Sequence, residues 1–164
     1  VPWLRVFDGG VPGDLEALAE TLRWWQGLRR AGGWRCDLII ETHDTLFAGS
    51  EIAALARLVP GTRILWDSFN TWLKGGEDPL RTWAEIREHV VHLHVKDAVR
   101  RPSEKFSWTY VLPGEGEFPF RALLRQMEAD GYAGHASLEW ELLWHPYLAP
   151  LPAALESAKQ AGWR

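Results

Sequence analysis

Five short apolar runs alternate along this chain with amphipathic stretches, and that alternation limits the folds open to it more than any other feature. The runs lie at residues 3–7, 38–40, 63–66, 90–95 and 136–140, are mostly β-branched or aromatic, and are bounded by turn residues. They predict strands near 3–7, 37–41, 63–67, 90–95 and 135–140. The intervening stretches at 14–30, 50–58, 79–88, 119–129 and 151–161 carry apolar residues at helical spacing, as with Leu15, Leu18, Ala19, Leu22 and Trp25 on one face. The punctuation agrees. Ser50 is placed to cap its helix, Pro79 and Pro119 suit first-turn positions, and Gly131 and Gly162 fall where helices end in a left-handed residue.

Strands followed each time by helices predict an α/β fold with a parallel sheet, either an open doubly wound sheet or a closed barrel. The loop at 7–13 follows a strand and precedes a helix, yet it is not G-x-G-x-x-G and reads as a mobile turn, so the dinucleotide-binding form loses its support. No linker or solenoid repeat divides the 164 residues, which are expected to form a single domain over 1–164.

Eighteen Lys and Arg against 22 Asp and Glu give a net charge of -4, unsuited to gathering around a phosphate backbone, so no nucleic-acid partner is expected. No run of about 18 apolar residues is present, so no membrane partner is expected either, and no leader pattern is read. The single Cys36 cannot form an internal disulfide, which suits a reducing, cytoplasmic setting. The chain opens on Val1 and its one methionine is Met127, so a preceding segment is expected.

Four consecutive strands end in a polar residue: Glu41, Asp67, His94 and Glu139. That edge carries the chemistry in parallel α/β folds. Side chains alternate along a strand, so Ile39 shares a face with Glu41, Leu65 with Asp67, His92 with His94 and Lys96, and Glu139 with Glu141. The opposite set, Leu38, Ile40, Trp66, Leu93, Val95 and Trp140, is apolar and suited to packing under helices. Three carboxylates converging on one interior need a cation to stay charged. An oxygen-rich site with one imidazole suits Mn²⁺, Mg²⁺ or Co²⁺, with Zn²⁺ also compatible. His92 is expected one layer deeper than His94.

The runs Ile40-Glu-Thr-His-Asp44, Ile64-Leu-Trp-Asp67, His92-Leu-His-Val-Lys-Asp97, Leu112-Pro-Gly-Glu-Gly116 and Gly131-Tyr-Ala-Gly-His-Ala-Ser-Leu-Glu139 resemble, in order and spacing, the xylose isomerase-like (β/α)₈ TIM barrels, a superfamily of sugar phosphate isomerases and epimerases. The resemblance covers nearly the whole chain. It implies that Glu41, Asp67, His94 and Glu139 match the four metal ligands, with Glu41 and Glu139 doubling as catalytic acid/base groups. It also implies a substrate contact at Arg100, six residues past His94; Asn70, His43, Lys96 and Trp108 are further candidate substrate contacts. Asn70 departs from the family pattern, which carries a second histidine three residues after the ligand aspartate. The match is to the last five βα units of eight, whereas a complete barrel needs roughly 250 residues. Its open strand edges are expected to be covered by a missing amino-terminal segment or a second copy in a homo-oligomer.

The resemblance implies a divalent-metal-dependent isomerase or epimerase of a small sugar or ketose, phosphorylated or not. A proton next to a carbonyl is moved by two carboxylates while the metal stabilises the enediolate. Isomerase and epimerase stay open. A metal-dependent dehydratase of a keto-polyol or cyclic keto-acid shares the first step. An apurinic-site endonuclease shares the scaffold but needs a basic surface, and a non-catalytic truncated barrel is the remaining alternative. Among the eleven tryptophans, Trp108, Trp140 and Trp144 are candidates for a flat wall against a sugar.

Overall fold

The computed structural model describes residues 2–9, 11 and 13–162, which fall into two compact units, Val1–Leu93 and His94–Arg164. Gly10 and Pro12 of the turn read at 7–13 lie outside the described residues.

The first unit runs β1 (Trp3–Phe7), α1 (Leu15–Gly32), β2 (Asp37–Glu41), α2 (Gly49–Leu58), β3 (Ile64–Asp67), a π-helical turn (Asn70–Lys74), α3 (Pro79–Ile86) and β4 (Val90–Val95), whose last two residues belong to the second unit. The strands lie in the order β1-β2-β3-β4. β1 and β2 are parallel with Trp3 opposite Asp37 and Phe7 opposite Glu41, and β2 and β3 are parallel with Glu41 opposite Leu65. Ile64 N donates to His89 O (2.9 Å) at the entry to β4. Sequential parallel strands with a helix in each connection are the βα succession that the alternation predicts.

The alternation of faces also holds. Leu38 and Ile40 share a small cleft with Leu22 and Trp25 of α1, and Trp66 stacks on Trp83 of α3 with ring centroids 6.2 Å apart. Ile52, Leu55, Ile64, Trp66, Trp83 and Ile86 are essentially inaccessible. Each such side chain contributes about 1.5–3 kcal/mol on burial. Asp14 caps α1 by accepting from Ala17 N (3.1 Å), and Gly33, at φ 63°, closes it with Trp34 N donating back to Arg29 O.

The second unit holds the end of β4, then β5 (Asp97–Val99) and β6 (Thr109–Val111), α4 (Phe120–Ala129), β7 (His135–Leu138) and α5 (Leu151–Gln160). β7 neighbours β4, and just past it Glu139 N donates to Val95 O (3.0 Å). β5 and β6 form an antiparallel hairpin that the periodicity does not predict, because three-residue strands carry too little alternation to register. Val95, Ala98, Phe118, Phe120, Leu123, Met127, Ala154 and Ala158 are buried.

Three local expectations are corrected. Ser50 lies inside α2 rather than capping it; the Gly49 N–H at that terminus is taken by Glu77 Oε2 (2.8 Å), a carboxylate supplied from before α3. Pro119 precedes α4 at its cap position instead of entering the first turn. β7 stops at Leu138, so Glu139 and Trp140 follow the strand, where the Trp140 indole donates to Ala149 O (2.9 Å) and turns the chain away. Pro79, by contrast, opens α3 as expected, with Asp78 accepting from Leu80 N, and Gly131 (φ 72°) and Gly162 (φ 112°) are left-handed. No helix among the described residues is long and apolar enough to cross a membrane.

Candidate metal centre

In the first unit, parallel register brings Glu41 and Asp67 to adjacent strand ends, both fully buried. Arg5 on β1 donates through Nε to Glu41 Oε2. Asp67 is held by donors of the turn that follows it. Its Oδ1 accepts from Phe69 N (3.0 Å) and Asn70 N (3.3 Å), and its Oδ2 accepts from Asn70 Nδ2 (2.8 Å). Asn70 Nδ2 also donates to Thr42 O (3.0 Å), and Asp67 N donates to Thr42 Oγ1 (2.9 Å), so the ends of β2 and β3 are tied together. The Asn70 carboxamide therefore works on the Asp67 carboxylate.

His43 follows Thr42 with Nδ1 2.7 Å from Asp44 Oδ1 and its ring 4.5 Å from that of Phe7. Its loop hangs on Asp8, a buried carboxylate past the end of β1 that accepts the backbone N–H groups of His43, Asp44, Thr45 and Leu46 at 2.7–3.1 Å.

In the second unit, the end of β4 and the residues after β7 bring His94, Lys96, Glu139 and Glu141 together. His94 Nδ1 lies 3.5 Å from Glu139 Oε2, and Lys96 Nζ donates to Glu139 Oε2 (2.6 Å) and Glu141 Oε1 (3.0 Å). Burial pushes the Glu139 carboxyl up, but the hydrogen bond from His94 and the charge and hydrogen bond of Lys96 outweigh it and hold the group well below the usual carboxylate range.

Arg100 leaves β5 and pairs with Glu117, Nη1 to Oε2 at 3.0 Å, while its N–H donates to Oε1; these bonds lower the Glu117 carboxyl. Trp108 stacks flat on Phe106 (4.6 Å, 10°). Asp97 accepts from the N–H groups of Ala98, Gly114, Gly116 and Phe118 at 2.9–3.1 Å, which fixes the G-E-G segment.

Sequence reasoning misses Arg5, Asp8, Asp97 and Glu141 as site-shaping residues. Asp8 and Glu141 did carry a signal: one is a polar residue past a strand end, and the other shares a face with Glu139. Arg5 and Asp97 have partners too distant in sequence for spacing to reveal.

The donor set fits a divalent metal. Two ligands of one ion, each at about 2.1 Å, stand about 3.0 Å apart in octahedral and about 3.4 Å apart in tetrahedral geometry. His94 Nδ1 and Glu139 Oε2, 3.5 Å apart, match that spacing.

Known proteins agree with the fold. A structure of a xylose isomerase domain protein from Planctomyces limnophilus is 22% identical over 98% of this chain, with a TM-score of 0.72. The probable 3-DHS dehydratase AsbF of petrobactin synthesis from Bacillus anthracis is 17% identical over 99%, with a TM-score of 0.74. D-Psicose 3-epimerase from Clostridium cellulolyticum H10, solved with D-tagatose, is 15% identical over 93%, with a TM-score of 0.63. The chain spans 58%, 64% and 56% of those three proteins, respectively. Two further structures of this fold contain metals: the IOLI protein with zinc (15% identity over 97% of this chain and 60% of that one, TM-score 0.67) and a Mycobacterium smegmatis protein with magnesium (14% over 93% and 52%, TM-score 0.64). No match to a curated protein was found. The family model of the xylose isomerase-like TIM barrel matches residues 8–161, and the chain belongs to that family.

Proposed function

We propose that Glu41, Asp67, His94 and Glu139 hold a divalent metal, Mn²⁺, Mg²⁺, Co²⁺ or Zn²⁺, in an isomerase or epimerase of a small sugar or ketose. The observation that carries this reading is the pairing of His94 with Glu139 at ligand spacing, with Lys96 beside them. Such a metal supplies Lewis-acid polarisation of the substrate's carbonyl and neighbouring hydroxyl oxygens.

The chain's own residues then handle the proton. One of Glu41 and Glu139 accepts it from the carbon next to the carbonyl; the C–H bond breaks and its electron pair moves toward the carbonyl oxygen, giving an enediolate. The other carboxyl, entering protonated, returns its proton to the same carbon from the opposite face in an epimerase; in an isomerase the proton goes to the neighbouring carbon while the hydroxyl proton passes to the former carbonyl oxygen. Lys96 and His94 keep Glu139 ionised and able to accept. Asn70 and Thr42 hold Asp67 in place. Arg100, Asn70, His43, Lys96 and Trp108 are the candidate substrate contacts.

A second reading, dehydration of a keto-polyol or cyclic keto-acid, is favoured by Lys96: an ammonium beside the base can give a proton to a departing β-hydroxyl. Incubation with a ketose panel in D₂O tests both. Deuterium gained at the carbon next to the carbonyl, lost on Glu139→Gln, supports the proton-transfer reading. A dehydrated product supports elimination, and neither exchange nor dehydration with any substrate contradicts both.

We propose also that β1 is covered by a second copy or by a further chain segment in a cytoplasmic protein. β1 ends the strand order, and Leu4 and Phe7 on it are each about half exposed.

A further inference from the structure

The second unit contains a cavity of about 530 Å³ that none of the proposed metal ligands lines. Its walls come from the loop between β5 and β6 and from the segment after Glu141, with Arg101, Lys105, Thr109, Trp144, His145 and Tyr147 facing it. This volume is ordinary for a small-molecule site. The walls are built rather than loose. Thr109 Oγ1 donates to Arg101 O (2.8 Å), Ser103 N donates to Phe106 O (2.9 Å), and Tyr110 N donates to the Tyr147 hydroxyl (3.3 Å), which ties the two segments together.

We infer that this cavity receives the charged end of an anionic sugar, one bearing a phosphate or a carboxylate. The inference rests on the sugar-transforming reading above and narrows its substrate class. Trp144 and Tyr147 are 67% and 53% exposed, leaving aromatic surface of the kind that packs against the C–H face of a sugar ring. Arg101 and Lys105 flank that surface against the single acidic neighbour Glu104, and among the described residues neither cation is in an ion pair. A guanidinium beside an ammonium suits a phosphate or carboxylate group.

The cavity also connects to the proposed chemistry. His145, buried among the rings of Phe106, Tyr110 and Tyr147, has Nε2 4.0 Å from Glu141 Oε2. Glu141 accepts from Lys96, which donates in turn to Glu139. Three side-chain contacts thus lead from the cavity wall to the proposed base. A ligand anchored by its anionic end at Arg101 and Lys105 would lie along this path.

Calorimetry on the whole protein with EDTA present tests the inference independently of any metal. D-Fructose, D-fructose 6-phosphate, D-gluconate and inorganic phosphate are titrated into the wild type, an Arg101→Ala/Lys105→Ala variant and Trp144→Ala. We expect at least one charged sugar to bind about tenfold more tightly than D-fructose, roughly 1.4 kcal/mol. That preference should vanish in the double variant, while Trp144→Ala should weaken the sugars but not inorganic phosphate. The tighter of the phosphate and carboxylate arms identifies the anion. Equal affinity for neutral and charged sugars, a preference that survives the double variant, or inorganic phosphate binding as tightly as the charged sugars would overturn it. A charge preference without metal binding in EDTA-free buffer would overturn the metal reading alone.

Discussion

The ammonium of Lys96, 4% exposed, lies 2.6 Å from the carboxylate of Glu139, which is 43 residues away in sequence. The same ammonium reaches Glu141 at 3.0 Å, so one buried cation serves two carboxylates. Removing it with Lys96→Met leaves both acids in a poorly solvated setting. We expect a loss of about 2–4 kcal/mol, discounted because the acids keep some water contact. Urea unfolding with an unchanged midpoint would contradict the pairing. The pH dependence has a definite sign. Glu139 is depressed below its ordinary value near 4.5, so the stability it adds is complete above that pH and is lost as pH falls through the lower folded value. Lys96→Met should flatten that acid limb.

Asn70→Ala removes the carboxamide that donates to Asp67 Oδ2 and to Thr42 O, both in buried surroundings. The expected cost is about 1–3 kcal/mol, with metal affinity falling alongside because Asp67 loses its orientation. Thermal melts and metal titration of the variant check the two effects separately. Full stability with full affinity would contradict the anchoring of Asp67 by Asn70.

These two residues mark how far the sequence could be read. The strand ends near Glu41, Asp67 and His94 are legible because period-two alternation and helix spacing are local signals, and the sequential strand order follows from them, whereas Glu139 lies one residue past the end of its strand. The use of each polar group is not legible. Asn70 is spent on Asp67 because the chain turns through a π-helical turn directly after β3, a backbone choice with no sequence pattern. Ser50 was a sound capping candidate, displaced because Glu77 reaches the same helix end from 28 residues away. The hairpin that carries Arg100 and Trp108 near its loop was hidden by the shortness of its strands.

Asp97 supports its loop through four backbone donors, and Gly116 leaves no room beside it: a Cβ there would stand 2.1 Å from Asp97 Oδ1. Gly116→Ala and Asp97→Ala should therefore both loosen residues 112–118, the first by collision and the second by stranding N–H groups at about 1–3 kcal/mol. Hydrogen exchange should rise at Gly114, Gly116 and Phe118 in either variant. Protection equal to wild type would contradict the clamp.

The exposed side chains of Leu4 and Phe7 on β1 bear on assembly. Light scattering at micromolar concentration should report a dimer or larger species whose interface buries more than about 1,000 Å². Leu4→Asp should shift it toward monomer. A wild-type monomer across that range would contradict association with a second copy.

The most direct test of the account is calorimetric titration of Mn²⁺ into metal-stripped protein. One ion should bind per chain, and binding should be lost in both Asp67→Asn and Glu139→Gln while Glu117→Gln, which alters only the exposed partner of Arg100, binds as wild type does. Absence of binding to the wild type, or equal binding by Asp67→Asn and Glu139→Gln, would contradict the metal centre and the proton-transfer chemistry built on it.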